Sequence, residues 1–374
     1  MLKGVSLTLY SGTVSTSPVA REVIDALTSV EVTSATEGPS GFQLSFTLSQ
    51  RSPLHREFLI KAGANPLLRM IIVVTIQGTP DVLMDGVLTN HQVSPGSQPG
   101  ESILTMTGED LSKVMDLVDL SGLPYPAMPA NLRVAAILAK YAVFGVIPAV
   151  VPSPILDVVL PTTLIPAQDG TDLQYVQSLA KKTGYVFYVD PGPKRGTSTA
   201  YWGPPVMWGK EQPALNYDMD AHRNVESLSM SFDTANATMP VVYIQNKLTK
   251  FPIPVPIPKI NPLRKPLALV PPAITKFTPL RDTAKLPVVN ALLLGLAEAA
   301  KSSDAVSGSG SLDVVRYGRI LKARKLVGVR GAGEAFNGLY FVKSVTSTLK
   351  RGEFKQSFQL SRNGLVSLYK TVAV

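Results

Sequence analysis

Several short runs in this 374-residue chain imitate catalytic motifs. Ser178-Leu179-Ala180-Lys181 has the S-x-x-K spacing of penicillin-recognising acyl enzymes, and Lys182-Thr183-Gly184 follows it as a K-T-G. In those enzymes the two elements are distant in sequence and meet in space. Here they overlap on one helix end, where a lysine-rich last turn and a glycine stop account for every residue. Gly328-Val329-Arg330-Gly331-Ala332-Gly333 carries the glycines of a phosphate loop in the wrong order. Phe336 stands where the third glycine belongs and no Lys-Ser/Thr pair follows, so a turn between strands is expected. Asp169-Gly170-Thr171-Asp172 lacks the further oxygen ligands and the closing glutamate of a calcium loop, and reads as a helix cap. Glu109-Asp110 and Asp218-Asp220 are the carboxylate pairs that could support glycoside or cell-wall cleavage. Neither lies in a context that forms an obvious pocket. Asn236-Ala237-Thr238 is a formal sequon. Cysteine is absent, and His55, His91 and His222 are isolated, which excludes disulfides, iron–sulfur clusters, zinc fingers and cysteine nucleophiles. No catalytic, metal or cofactor residue is assigned.

What remains is charge and bulk. Charged residues make up 17% and hydrophobic residues 45%, enough apolar mass for more than one core. The length suits two or three domains. Low charge with abundant Ser, Thr, Gln and Asn suits a surface largely covered by partners. The formal charge of +9 is unevenly spread: residues 1–240 hold 15 Lys+Arg against 21 Asp+Glu, and residues 241–374 hold 21 against 6. Such a chain is dipolar, with one acidic end and one basic end. Lys322, Arg324 and Lys325, then Arg330 and Lys350-Arg351, form a basic cluster that could attract phosphate backbones. No aromatic stacking platforms are interleaved with it, so a solvated or lumen-facing barrel wall is the preferred reading. The start alternates like a strand and has no secretion signal, and prolines and charges interrupt the most apolar tract, Val134 to Leu160. A cytoplasmic origin without a membrane span is expected.

The elements that would position these groups read as β, then α+β, then β. Phe42, Leu44, Phe46 and Leu48 alternate with polar residues, Ile71 to Ile76 is a β-branched run, and Asp81 to Thr89 and Ser102 to Thr107 give further strands. Gly108-Glu109-Asp110 is expected to open a helix through Leu120. Asn131 to Tyr141 reads as a helix, and so does the run opened by Thr171-Asp172 and stopped by Gly184, which leads into the strand Tyr185 to Val189. Asn224 to Asp233 is a strand. Between Phe251 and Leu280 nine of thirty residues are proline, which bars a central strand and predicts a stiff, docked, polyproline-like arm. A helix from Val288 to Lys301 and a flexible hinge at Ser307-Gly308-Ser309-Gly310 complete this insertion. Gly338 to Leu349, the turn Lys350-Arg351-Gly352 and Glu353 to Arg362 form a hairpin. Its two strands echo Gly86 to Val93 and Phe42 to Ser49, which suggests two related β modules at opposite ends of the chain.

Three stretches carry a resemblance to a known family. They are Asp169 to Val189, a capped helix running through a glycine into an aromatic strand; Leu321 to Gly331 followed by Gly338 to Val345; and Gly352-Glu353-Phe354-Lys355-Gln356-Ser357-Phe358-Gln359-Leu360-Ser361-Arg362-Asn363-Gly364. Together with the module order they resemble the central baseplate hub, or late control protein D, family of contractile phage tails and phage-tail-like injection systems. The Pro-rich arm and the helix at Val288 to Lys301 are less typical of it.

The resemblance implies an α+β, mainly β chain with two tube-like antiparallel β-barrel modules. These would span 1–120 and 224–250 with 312–374, with an α+β module at 121–223 between them. The arm, helix and hinge at 251–311 would be inserted in the second barrel. It further implies a homotrimeric ring without enzyme activity, adapting a hexameric tail tube to a trimeric spike and closing the lumen within a baseplate. The implied partners are the tube or tube-initiator protein, a separate spike protein, and tape-measure and baseplate wedge proteins. Lys322, Arg324, Lys325 and Arg330 and the arm residues Phe251, Pro252, Pro254, Pro256 and Pro258 are the expected partner or lumen contacts. The alternatives are a tail-associated cell-wall hydrolase and a nucleic-acid-binding protein acting through the basic C-terminal third.

Overall fold

β-Branched and alternating segments pair with one another before anything else can be built on them. In the computed structural model they form one long sheet. The residues described are 4–36, 38, 40–49, 52–65, 67–96, 102–152, 165–205, 209–233, 238–245, 249, 251–258, 266–281, 283–286, 288–301 and 304–369. The sequon residues Asn236 and Ala237, and Pro154 and Asp157 of the apolar tract, lie outside them. Strand makes up 49% and helix 21%, so the chain is α+β and mainly β, as expected.

The first β region comprises β1 (Val5–Gly12), β2 (Thr16–Pro18), β3 (Leu27–Ala35), β4 (Gly41–Leu48), β5 (Arg69–Ile76), β6 (Thr79–Pro95) and β7 (Ser102–Asp110). The middle region contributes β8 (Val146–Val150), β9 (Val186–Pro191) and β10 (Ser198–Gly203). Then follow β11 (Gln212–Asn216), β12 (Val225–Phe232), β13 (Thr238–Gln245), β14 (Pro252–Pro256), β15 (Ala268–Val270) and β16 (Lys276–Pro279). The last region holds β17 (Val306–Asp313), β18 (Leu326–Arg330), β19 (Gly338–Lys350), β20 (Glu353–Arg362) and β21 (Leu365–Ser367).

The main sheet runs β12-β17-β20-β19-β3-β4-β7-β6-β5-β1-β2, with β18 on β19 and β11 on β18. Its two halves meet at the antiparallel joint of β19 with β3, from Ser344 opposite Ala35 to Lys350 opposite Ser29. The pairing among the described residues traces one continuous path, and no ladder among them closes it. Apolar residues from both halves, among them Leu9, Phe46, Leu215, Phe354 and Phe358, share one buried cluster.

The middle region has its own core around Trp202, Val134, Ile137, Tyr175 and Val176. Its helix Asp172–Thr183 is fixed at both ends, as the sequence predicts. Thr171 accepts from the Gln174 amide, the Gln174 side chain accepts from the Thr171 amide, and Gly184 adopts the left-handed conformation at φ 71°. The helix Ala130–Ala139 also lies where expected.

Three expectations are corrected. Gly108-Glu109-Asp110 does not open a helix. These residues end β7, and Asp110 caps only a short 3-10 turn, Leu111–Asp116. The Pro-rich arm is extended and docked, as expected: Pro252–Pro256 pairs antiparallel with β13, at the margin of the three-stranded sheet β14-β13-β16. The Ser307–Gly310 hinge is a strand with neighbours on both sides, β12 and β20. Its glycines are needed for space. A Cβ on Gly308 would lie 2.7 Å from Met230 Sδ, and one on Gly310 would lie 2.3 Å from the Ser227 carbonyl oxygen and 2.7 Å from Phe358 Cζ. The third correction concerns the return strand of the last hairpin, β20. Its place in the sheet order matches that of β7, and it is β17 that matches β4.

Gly310→Ala therefore overpacks the sheet, and the expected cost is about 1–3 kcal/mol. Thermal denaturation should show a clearly lowered Tm for this variant. An exposed change such as Ser309→Ala should leave the melt in place.

Candidate functional site

Arg324 was expected to face a partner or the lumen; instead it is turned inward. It sits in a turn at φ 63°, a left-handed conformation uncommon for a side chain of its size. The main chain is held there by Arg324 N–H to Val342 O at 2.8 Å and Val342 N–H to Lys325 O at 2.9 Å. Its side chain is only 5% exposed and pairs with Asp190 of β9. The same guanidinium donates to the Ala35 carbonyl and to Ser40 Oγ, and lies 4.1 Å from the centre of the Tyr188 ring. One side chain thus ties the last β region to the middle region and to the β3–β4 connection. Nearby, Asp110 accepts from the amides of Ser112 at 2.9 Å and Ser40 at 3.3 Å. Burial pushes its carboxyl up, and Arg324 and these hydrogen bonds oppose that shift.

The rest of the basic cluster is partly neutralised within the chain. Lys322 Nζ pairs with Asp81 at 2.8 Å. Lys325 is exposed, and it and Lys322 both act on Asp190. Arg330 ends β18, where its carbonyl accepts from Tyr217 N–H. Carboxylates set among these cations leave the cluster less suited to a phosphate backbone than its sequence suggested.

The glycine-rich loop after β18 is organised by a residue the sequence did not single out. Arg362 is fully buried and donates to the carbonyls of Gly364, Asn337 and Ala335 at 2.8, 2.8 and 2.6 Å. Its guanidinium also stacks 4.4 Å from the Tyr340 ring centre. The loop therefore turns carbonyls, not amides, onto a cation, the opposite of a phosphate cradle. A second buried arginine, Arg69, forms a bidentate pair with Asp85 at 2.7 and 2.6 Å, and Ser198 of β10 donates to the same carboxylate. Burial raises the Asp85 pKa, against the pull of Arg69.

The arm residues lie in a different sheet from the basic cluster. Ile257 N–H donates to Pro240 O, so residues two apart, 253 and 255, also turn their N–H toward β13. Pro252, Pro254, Pro256 and Pro258 occupy the outward positions, where no donor is available to another strand. Val242, Val255 and Ile257 face the helix Val288–Lys301, which approaches closely at Gly295. The opposite face carries the prolines with Val241, Tyr243 and Phe277, the last 63% exposed; Phe251 just before β14 is 73% exposed.

The motif-like residues are engaged structurally. Ser178 donates to the Tyr175 carbonyl, and Thr183 to those of Leu179 and Ala180. Glu109 and Asp110 border a hollow of about 210 Å³ with Gln177 and Tyr188, while Asp218 and Asp220 are exposed. No group of three or more metal-ligating side chains occurs among the described residues. Nor is any helix there long and apolar enough to cross a membrane.

No protein-family model and no curated protein matches the chain. Solved structures do. A tail protein from Neisseria meningitidis MC58 is similar over 97% of this chain and 98% of its own, with a TM-score of 0.62 at 15% identity. The fold is that of phage tail proteins. The 43 kDa tail protein of prophage MuSo2 from Shewanella oneidensis is similar over 97% and 99%, with a TM-score of 0.59 at 15% identity. A chain of the Francisella PdpA–VgrG complex is similar over 100% of this chain and 60% of its own, with a TM-score of 0.60 at 9% identity.

Arg324→Met removes the guanidinium that Asp190 pairs with and unties three regions at once. Asp190 is 40% exposed and keeps Lys322 and Lys325 nearby, so the expected destabilisation is about 1–3 kcal/mol, mostly from the lost hydrogen bonds of the guanidinium. Arg69→Met and Asp85→Leu should each cost about 3 kcal/mol singly, while the double variant recovers most of the loss because no unpaired buried charge remains. Chemical denaturation of the four chains measures this cycle.

Proposed function

We propose that the chain is the structural hub of a contractile tail baseplate. It assembles as a homotrimeric ring that adapts a hexameric tube to a trimeric spike and closes the lumen. The observation that carries this reading is the likeness to two tail proteins over nearly the whole length of all three chains. The open main sheet supports a ring, since a sheet with two unlike margins is completed by a neighbour rather than by itself. The charge split supports a part that meets different partners at its two ends.

In this reading residues 1–120 and 224–250 with 312–374 are the two tube-like modules, β17 (Val306–Asp313) belonging wholly to the second, 121–223 is the module between them and the rest of 251–311 is the insertion. The exposed Lys322 and Lys325, with Arg330, face a partner or the lumen, and the proline-bearing face with Phe251 meets a neighbouring baseplate protein. Spike, tube, tape-measure and wedge proteins are its partners in this reading. The part is mechanical and not enzymatic, and it works inside an assembled tail or tail-like particle.

Native mass and negative-stain electron microscopy on one purified sample test the ring. The expected result is a three-fold ring with a central opening and about three times the 40.0 kDa chain mass. A compact monomer that stays single when tube and spike proteins are added overturns it.

A further inference from the structure

The main sheet contains an internal repeat that extends to most of its irregularities; a bulge between Ile72 and Val73 in the β5–β6 ladder has no counterpart in β18–β19. The strands β3-β4-β7-β6 run in the same order as β12-β17-β20-β19. A β-bulge falls between Leu27 and Ser29 in the β3–β4 ladder, and between Val225 and Ser227 in the β12–β17 ladder. Another falls between Leu88 and Asn90 in β6–β7, and between Val342 and Ser344 in β19–β20. The β4–β7 and β17–β20 ladders are both regular. The first half of β6 pairs with β5 as the first half of β19 pairs with β18. Bulges fix register, so these coincidences equate positions one by one. Thr33 corresponds to Ser231, Val32 to Met230, Thr346 to Gln92 and Ser347 to Val93.

One joint of this repeat is made within the chain and its equivalent is not. The second half of β19 pairs with β3. The second half of β6 has β7 on one side and no other strand among the described residues, with Val93 48% exposed. Among the described residues β12 has only β17 as a neighbour. Asp233 N–H points to Ala305 O on the β17 side, so by parity the backbone groups of Leu228, Met230 and Phe232 point outward. Thr36 N–H points to Lys343 O, so by the same parity Val30, Val32 and Ser34 point at β19. These are the three positions equivalent to Leu228, Met230 and Phe232.

We infer that β6 of one copy pairs with β12 of the next, in the register that β19 and β3 use within the chain. This rests on the ring reading above and names its contact. Thr33 lies opposite Thr346 with their hydroxyls 3.0 Å apart, so Gln92 lies opposite Ser231 of the neighbouring copy. His91 and Val93 exchange hydrogen bonds with Phe232 and Met230, and Pro95, which has no N–H, ends the joint. The contact is head-to-tail, with different strands on its two sides, so it builds a closed ring or an open helix and never a two-fold dimer.

The absence of cysteine makes the register directly testable. Gln92 and Ser231 form a pair of the narrow, non-hydrogen-bonded kind, whose close approach suits a disulfide. Oxidised full-length Gln92→Cys/Ser231→Cys should run on a non-reducing gel as covalent oligomers beyond the dimer. At least tenfold more chain should be cross-linked than in either single variant or in Gln92→Cys/Ser227→Cys. Met230→Pro removes an outward N–H that the chain's own sheet does not use, so it should yield a folded monomer by native mass, with a melt lowered by the lost packing of the Met230 side chain. A wild-type oligomer that gives no pair-specific cross-link overturns the joint and leaves the ring reading standing. A folded Met230→Pro variant that remains oligomeric does the same. If Met230→Pro does not fold, the cysteine pairs decide alone. A wild-type chain that stays monomeric at every concentration overturns the ring and the joint together.

Discussion

The antiparallel contact of β19 with β3 is the constraint on which the rest of the architecture depends. Its seven residue pairs join strands more than three hundred residues apart, and they turn two β regions into one sheet with one shared core. The alternation on the two strands has to agree for this to work. Val30, Val32 and Leu349 lie on the buried side, while Thr33 and Thr346 meet on the other. A slip of one residue would expose the apolar set and break the hydroxyl contact. Because the joint is so non-local, it carries a large loop-closure entropy, and local elements such as the hairpin of β19 and β20 have to form without its help.

Polar groups then fix how the smaller regions sit on this sheet. Arg324, Arg69 and Arg362 are all withdrawn from solvent, each in a different manner. Arg324 pairs with a carboxylate across a region boundary, Arg69 has a bidentate partner within its hairpin, and Arg362 has only carbonyls and an aromatic ring. Such groups contribute uniqueness more than net stability, since removal of one partner costs far more than the pair supplies. They also remove three cations from the apparent basic surface of the chain.

Much of the fold was legible wherever the signal is local. Thr171, Gln174 and Gly184 announce a helix with both ends fixed, and the alternation of Phe354, Phe358 and Leu360 announces the last strand. The prolines from 252 to 258 ruled out a central strand, and β14 is indeed marginal. What failed was non-local. Ser307 to Gly310 has the composition of a hinge, and only the side chains of Met230 and Phe358 show why glycine belongs in a strand there. Arg324 is indistinguishable by sequence from Lys322 and Lys325, because the carboxylate that claims it lies 134 residues away. The internal repeat lay beyond side-chain comparison, since backbone register and bulge positions carry it while residue identity does not.

The alternating prolines of β14 have a consequence for specificity in crowded surroundings. A particle built from many β-rich chains exposes many strand margins at once, and each unpaired backbone group can bind any other. At β14 every outward position lacks a hydrogen to donate, so that margin can only accept, and a foreign strand finds half of the ladder missing there. The insertion can present its aromatic face to a neighbour while offering only carbonyls from its backbone, and recognition there is read chiefly by shape and side chain.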